Sequence, residues 1–511
     1  MRQIANISRI DVEVDGRRIT SSAAQALGEA RVQQRLSAPA QCELVFFDPP
    51  EPFDASAMVP GASLRISVKD QEPELFSGQV TAVEYVYGSG AGRELRVRAY
   101  DLLHRLRKRQ PVRTHVQITL AGLAREIVAD LGLSVEAAPA AESPVWKRMI
   151  QHRQSDLDLL VEVAERCGLH FAADGSSLRI FSLQGIGQPV PLVLGDSLFE
   201  ARIEVNGHHA CRTVSVKGWD PWHAEARSGQ ARRARTGRNI PTEAAPNRVG
   251  ATGERTLADL AIQDDRQAEA LAQAELDLCA AQEVTFWGVA EGDTKLRPGA
   301  PIKVQGVAAS LAGQYVLTTV NHTIDARRGF ISEISTAPPS PRRQAGEALT
   351  GALAVLGIVT KIDDPEKLGR VQVSLPTFGD VETDWMEVLC AGGGAGKGLL
   401  MIPDVGDRVL VLCARGDPAQ GVVLGGLFGP KGLPDDVFGG GGVQRFTLCS
   451  SGGQAVRLND ADHGIRLENS KGSFIELLPG MVKLHAETDL EIEAPGRSIV
   501  IRGSKIDFQT G

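Results

Sequence analysis

From residue 443 to 511 the chain repeats one short unit, an alternating strand closed by a polar turn, at a pace of about eight residues: "VRLND", "GIRLEN", "FIELL", "VKLHAE", "LEIEA", "IVIRG" and "KIDFQ". Successive side chains of a strand point to opposite faces, so the alternation gives each strand one apolar side. No helix-forming stretch accompanies the repeat to cover that side, and each strand holds too few apolar residues to close a core alone. Three copies wound about a common axis would bury it, with Leu458, Leu467, Leu477, Leu484, Ile492, Ile501 and Phe508 turned inward. The tail therefore predicts a homotrimer built on a β-helix or β-prism.

The whole chain is too long for one core, since 511 residues at the usual ~100–200 per domain imply three or four units. Residues 1–110 read as strands broken by turns, among them "RIDVEVDG", "QCELVFFD" and "ELRVRAYD", the pattern of an antiparallel barrel. Residues 111–190 form an α+β insert with helical spacing in "LAGLAREIVADLGL" and "SDLDLLVEVAERCGL", where Ser155 is placed to cap the second helix and Gly168 to stop it. A second barrel spans 191–340 and carries one long helix over "LADLAIQDDRQAEALAQAELDLCAAQ", which lacks Gly and Pro. A Pro-rich linker, 341–352, leads to 353–429, where about five strands in ~75 residues suit an OB-fold barrel. Segment 430–511 is the stranded tail. The fold class is thus mainly β with an α+β insert: two barrels, an OB barrel and a trimeric β-helical end.

A net charge of -8 argues against nucleic acid as a partner, because the sequence-independent part of that affinity comes from Lys and Arg neutralising phosphates. The one Arg-rich stretch, "EARSGQARRARTGRN" at 225–239, lacks aromatics for base stacking and reads as an exposed loop. Seven scattered cysteines, Cys42, Cys167, Cys211, Cys279, Cys390, Cys413 and Cys449, include no CxxC pair and fit reduced thiols rather than a disulfide framework or a zinc site. The start carries no apolar signal core, and no stretch approaches the ~18–20 apolar residues that span a bilayer. Synthesis in a cytoplasm without an N-terminal signal is expected.

Several motifs imitate active sites. "AGGGAGKGLLMIP", 391–403, resembles a phosphate loop, but Ala391 stands where its first Gly belongs and Gly398 where its hydroxyl belongs. No helix opens after Lys397 to aim a dipole at phosphates. "GDSL" at 195–198 with "DPWH" at 220–223 copies a lipase signature, yet only 26 residues separate Ser197 from His223 and no α/β scaffold lies between them. His463 and His485 could meet a metal on a threefold axis, although a lone His in a repeat more often faces solvent. Asp363-Asp364 and Asp435-Asp436 sit beside Pro in turns, which accounts for them as solvated residues.

The order of barrel, helical insert, barrel, linker, OB barrel and stranded tail resembles the VgrG-like spike proteins of contractile injection machines, including phage baseplate hub and spike proteins. Ser155 and Asp156 in "MIQHRQSDLDLLVEVAERCGLHF" match the family's Ser-Asp helix start, and Gly218, Trp219, Asp220 and Pro221 in "VSVKGWDPWHAE" its Gly-Trp-Asp-Pro turn. Pro403, Gly406 and Asp407 in "MIPDVGDRVLVL" are similar to the spike's OB domain, as are "GRVQVSLP" and "GDPAQGVVLGGLFG". "GDTKLRPGAPIKVQGV" and "GQYVLTTVNHTID" resemble the late-control hub proteins of phages with contractile tails. The resemblance covers essentially the whole chain. In this family the Gly-rich stretch before Pro403 is an OB-barrel loop.

The resemblance implies a structural role. Two related barrels per chain in a trimer present pseudo-sixfold symmetry to a hexameric inner tube, while the tail forms a threefold, membrane-piercing spike. It implies a PAAR-type tip protein as partner, seated on the last turn, "SKIDFQTG", through Ile506, Asp507, Phe508, Gln509 and Thr510. Baseplate components, effector cargo and a target membrane are further implied partners. Some members insert a lysozyme domain where only 430–444 stands here, and others carry an effector beyond the position of Gly511. No fused enzyme and no cofactor is expected. The late-control-like hub and short tail favour an extracellular, phage-tail-like particle, with a type VI secretion tip or a prophage tail as alternatives.

Overall fold

The computed structural model describes residues 10–49, 58–88, 92–139, 141–220, 225–339, 353–414, 417–428 and 432–509. They divide into two compact units, Met1–Gly426 and Leu427–Gly511.

The first unit is organised by an 11-stranded sheet. Across it run Leu198–Val205, Val284–Glu291, Gly329–Ser335, Thr319–Asp325, Leu27–Arg35, Gln41–Phe47, Arg93–Tyr100, Phe76–Tyr87, Ser63–Val68, Ile10–Val14 and Arg17–Arg18. Leu27–Arg35 is the join, antiparallel to Gln41–Phe47 on one edge and to Thr319–Asp325 on the other. The two barrels read from the sequence therefore share one sheet, yet each keeps its own core. Period-2 alternation explains this locally: in Gln41–Phe47 the side chains of Cys42, Leu44 and Phe46 are fully buried, while Gln41, Glu43 and Val45 are only half-buried. Around these gather Ile66, Leu95 and Val97 in the first core, and Leu198, Phe286, Ile302 and Tyr315 in the second.

The insert contributes helices Leu120–Val128 and Asp156–Arg166, whose apolar faces meet through Leu123, Ile127, Leu157, Leu160 and Ala164. The second helix starts in a capping box, with Ser155 Oγ accepting from Asp158 N at 3.2 Å and Asp158 Oδ2 accepting from Ser155 N at 3.3 Å. Gly168 ends it at φ +63°, against the backbone of Ala274, where a Cβ would sit 2.8 Å from a Cα.

Two local readings change. The long helix runs Asp265–Glu283, capped by Asp264, and the Leu-rich stretch before it is the strand Glu254–Ala261, parallel to Thr213–Asp220. Pairing to that strand overrides the helix-forming composition. The Arg-rich stretch is not simply an exposed loop: it opens with the strand Glu225–Ala231, and Arg235 then binds the buried Asp277 on the long helix, Nε to Oδ2 at 3.0 Å.

Gly-rich turns and strands build the OB barrel, in the order Val381–Glu382, Gln372–Leu375, Leu353–Lys361, Arg408–Cys413 and Gly421–Gly426, around Val359, Val373, Val409, Val411 and Val423. Its loop 362–370 is held by one acid. Asp364 takes Arg370 Nη2 at 2.7 Å and Nε at 3.0 Å, and also the backbone N–H of Leu368 at 2.9 Å. Both side chains are almost sealed from solvent.

In the second unit five strands form one antiparallel meander: Arg445–Cys449, Ala455–Asn459, Gly464–Glu468, Phe474–Leu478 and Met481–His485. The last three strands read from the repeat do not form in the single chain. A strand requires a hydrogen-bonded neighbour, and residues 486–509 have no such ladder among the described residues.

The hydrogen bonds from Arg370 hold the Asp364 carboxyl well below the usual carboxylate range. Asp364→Ala strands the guanidinium and is expected to lower stability by about 3–5 kcal/mol. A depressed folded pKa makes this contribution complete above the unfolded value of ~3.9 and lets it fade as pH falls toward the folded value. Denaturant unfolding of both proteins should show a gap that is full at neutral pH and narrows in acid; a gap independent of pH counts against this account.

Candidate functional site

The terminal sheet has two unlike faces. Direct cross-strand partners share a face, so one row runs Phe446, Leu458, Ile465, Leu477, Val482 across all five strands. A second row, two residues along, runs Leu448, Val456, Leu467, Ile475, Leu484. Every position is apolar, and all but Val456 are large exposed hydrophobics, up to 71 % for Val482. Contiguous apolar patches beyond a few hundred Å² are rare on monomers and mark contact surfaces.

The opposite face is polar and tied to itself. Arg457 bonds Glu468, Arg466 Nε reaches Glu468 Oε2 at 2.6 Å, and Arg466 Nη1 reaches Glu476 Oε1 at 3.0 Å. The Arg466 guanidinium lies 3.9 Å from the Phe474 ring centre. Asp435 accepts the Thr447 hydroxyl at 2.5 Å, Arg445 at 3.0 Å and Arg457 at 3.1 Å, and these bonds lower its pKa. Turn residues set the register: His463 adopts φ 52°, with Asp462 Oδ1 accepting from Gly464 N at 3.0 Å, and Asn469 Oδ1 accepts from Lys471 N and Ser473 N at 2.9 and 3.1 Å.

The structure brings Leu458, Leu467, Leu477 and Leu484 together on the apolar face. Ile492, Ile501 and Phe508 lie beyond it, exposed and outside any strand. The sequence reading missed Phe446, Leu448, Ile465, Ile475 and Val482; the last three lie two residues before a chosen leucine, whereas Phe446 and Leu448 join the face only through cross-strand register. Of the docking segment, Ile506 and Phe508 are exposed, Phe508 at 88 %, while Asp507 receives Gln509 Nε2 at 3.3 Å and Lys505 Nζ at 3.4 Å. Thr510 lies outside the described residues.

The motif residues have local structural duties. Asp156 is fully buried beneath Gln151 Nε2 at 2.8 Å and Arg113 Nη2 at 3.1 Å. Gly218 sits beside a register shift between Thr213–Asp220 and Glu254–Ala261, Trp219 continues that strand, and Asp220 pairs with Arg227 at 3.1 Å. Pro221 and His223 lie outside the described residues. After Pro403 the chain turns with Gly406 at φ 90°, Asp407 Oδ2 accepting from Asp404 N at 2.9 Å, and Gly406 N donating to Val359 O at 2.8 Å to start the strand Arg408–Cys413.

Lys397 and Ser197 lie in turns, and His485 ends a strand. Gly394 and Lys397 exchange backbone hydrogen bonds at 3.0 and 3.1 Å at a hairpin tip, with Gly396 at φ 70° and Lys397 exposed. Ser197 Oγ accepts from Val193 N at 3.0 Å, closing the turn through Gly195. His485 Nε2 meets Glu487 Oε1 at 2.9 Å. Among the described residues no group of three or more His, Cys, Asp and Glu is placed to hold a metal, and no helix is long and apolar enough to cross a membrane.

The first unit thus holds a sheet that pairs two barrels, an inserted helical layer and an OB barrel, and the second unit a meander with one bare face. The family model of the Alg8 N-terminal domain matches residues 5–326, more than half of the chain, and the chain belongs to that family. Residues 355–428 match the type VI secretion system/phage-baseplate injector OB domain. No curated protein matches the sequence. Among solved structures, the E. coli c3393 protein, a component of the type VI secretion system with structural similarity to T4 bacteriophage tail proteins gp27 and gp5, aligns with TM-score 0.53 at 14% identity over 82% of this chain and 99% of that one. A chain of the half-lidded Francisella PdpA-VgrG complex aligns with TM-score 0.54 at 8% identity, covering 93% and 87%. One of the lidless PdpA-VgrG complex gives 0.52 at 8%, covering 93% and 97%. The likeness to these structures is one of fold: the chain has their mainly β architecture.

With Ser197 tied to a turn and Lys397 at a hairpin tip, Ser197→Ala is expected to cost only the ~0.5–1.5 kcal/mol of one hydrogen bond and Lys397→Ala to leave stability unchanged, both read by thermal melting. A loss well beyond that range for either variant would contradict these roles.

Proposed function

We propose that the chain is a structural, non-enzymatic hub and spike of a contractile injection particle, acting as a homotrimer. The observation that carries this reading is the bare apolar face of the terminal sheet. Nine large side chains, each roughly half-exposed, would gain on the order of 1 kcal/mol apiece if covered. Three identical sheets facing one axis would cover them together, with the charged faces outward. Segment 486–509, with Leu490, Ile499 and Ile501 exposed, would then find its strand partners in neighbouring copies.

In that trimer the two barrels of each chain present six similar domains to a hexameric inner tube, and the spike carries a PAAR-type tip on Ile506 to Gln509. Baseplate components, cargo and the target membrane complete the set of partners. An extracellular, phage-tail-like particle is the favoured setting, with type VI secretion and a prophage tail as the other settings. Delivery follows assembly into the particle.

Leu467→Asp would place three unpaired carboxylates in one buried layer, each costing several kcal/mol. Light scattering on the eluted protein is expected to show trimers of the 54.5 kDa chain for wild type and monomers for the variant at neutral pH. A variant trimer as stable as wild type would show that this face is not the axis.

Deleting residues 504–511 removes the exposed Phe508 and leaves the five-stranded meander intact. The trimer should persist while co-purification of the tip protein is lost and injection falls. Retention of the tip by the truncated spike would place docking elsewhere.

A further inference from the structure

Where the strand Leu27–Arg35, the hairpin of Leu169–Asp174 with Ser177–Ser182, and the loop 293–300 converge, the first unit forms a cavity of about 440 Å³. That lies within the ~300–1,000 Å³ usual for ligand pockets, which favour junctions between substructures. Its floor is apolar, from Phe181, Ile186, Val190 and Ala300.

The walls carry Arg35, Arg179, Lys295 and Arg297 against two acids, Asp101 and Asp174. Asp174 is shared, one oxygen taking Arg297 Nη1 at 2.8 Å and the other Arg179 Nη1 at 2.9 Å. Asp101 is spent on the backbone, accepting from Ala40 N at 2.7 Å and Leu103 N at 3.0 Å, and burial pushes its carboxyl up to about 7. Arg35 and Lys295 remain. Both are exposed, and neither side chain has an ion pair or hydrogen bond among the described residues. The cavity is therefore locally positive in a chain whose net charge is -8.

We propose that this cavity binds a carboxylate carried on an apolar body, with Arg35 and Lys295 gripping the anionic head and the Phe181 floor receiving the apolar part. The planar fork of Arg35 suits a carboxylate bidentately, and Lys295 adds a second positive charge. Two sources share this chemistry: the free end of a polypeptide whose last residue is apolar, and a free aliphatic acid. The site is independent of the terminal sheet and of the trimer.

The test is calorimetric titration of the full chain with three probes: a tripeptide ending in phenylalanine with its carboxylate free, the same tripeptide as its amide, and decanoate. At least one acid should bind saturably, and the amide should bind about ten- to hundredfold more weakly than the free tripeptide if the tripeptide is the ligand, the worth of a charge-assisted hydrogen bond. Arg35→Ala and Lys295→Ala should each weaken the bound acid about as much, with unchanged melting temperatures because both side chains are exposed and unpaired. Tighter binding of the tripeptide assigns the site to a polypeptide end, and tighter binding of decanoate to a free acid. The proposal is overturned if neither acid saturates by millimolar concentration, if the tripeptide is the tighter acid and its amide binds just as well, or if both variants bind the tighter acid as wild type does.

Discussion

The strand Leu27–Arg35 has no free edge, and the first unit depends on that. Its partners, Gln41–Phe47 and Thr319–Asp325, are separated in sequence by residues 48–318, so the chain must leave this strand and return to its other edge across that whole span. Closing a loop of that length costs entropy that grows only with its logarithm. The return is secured beyond the strand as well: Leu36 N donates to Thr318 O at 3.0 Å, and Ser37 N to Phe171 O at 2.8 Å. The two barrels are thus halves of one sheet, and the helical insert is fastened to it at the point where the halves meet. The cavity with Arg35 on its wall lies at this junction.

Buried ion pairs fix the layers around that sheet. Asp277 and Glu283 on the long helix are nearly sealed and are met by Arg235 and Arg212, the latter at 2.9 and 3.1 Å from the two Glu283 oxygens. Desolvation raises the Asp277 pKa even so, against the opposing hydrogen bonds from Arg235 and Gln273. Such pairs contribute little net stability but penalise every arrangement that separates them.

Period and punctuation made most of the architecture legible. Alternation located much of both barrels and the OB barrel and four strands of the tail, though not the central strand Leu27–Arg35, and Ser155 and Gly168 bracketed their helix. What stayed hidden depended on distant partners. Glu254–Ala261 has the composition of a helix start and becomes a strand only because Val214 and Val216 offer a parallel edge. The arginines after residue 225 look solvated until the acids of a helix some 40 residues on are placed beside them, Arg235 with Asp277 being 42 apart. No local signal joins Arg35, Phe181 and Lys295. Of the site, the leucines of the tail face and the apolar residues two positions before three of them were readable from spacing, and Phe446 and Leu448 followed only once cross-strand register put them opposite Leu458 and Val456.

The two faces of the terminal sheet divide labour in a way that bears on which surface a partner can use. The charged face has already satisfied itself: Arg457, Arg466, Glu468, Glu476 and Asp435 form one connected set, so a partner docking there would have to desolvate and break it. The apolar face has no internal alternative and gains from any dry cover. A second sheet laid flat on it would leave a third row of edges open, as unpaired strand edges do in any open pair. A closed arrangement of identical copies removes both the bare face and the open edges at once. In such an arrangement a short meander with no core of its own would have its charges outward and its leucines inward.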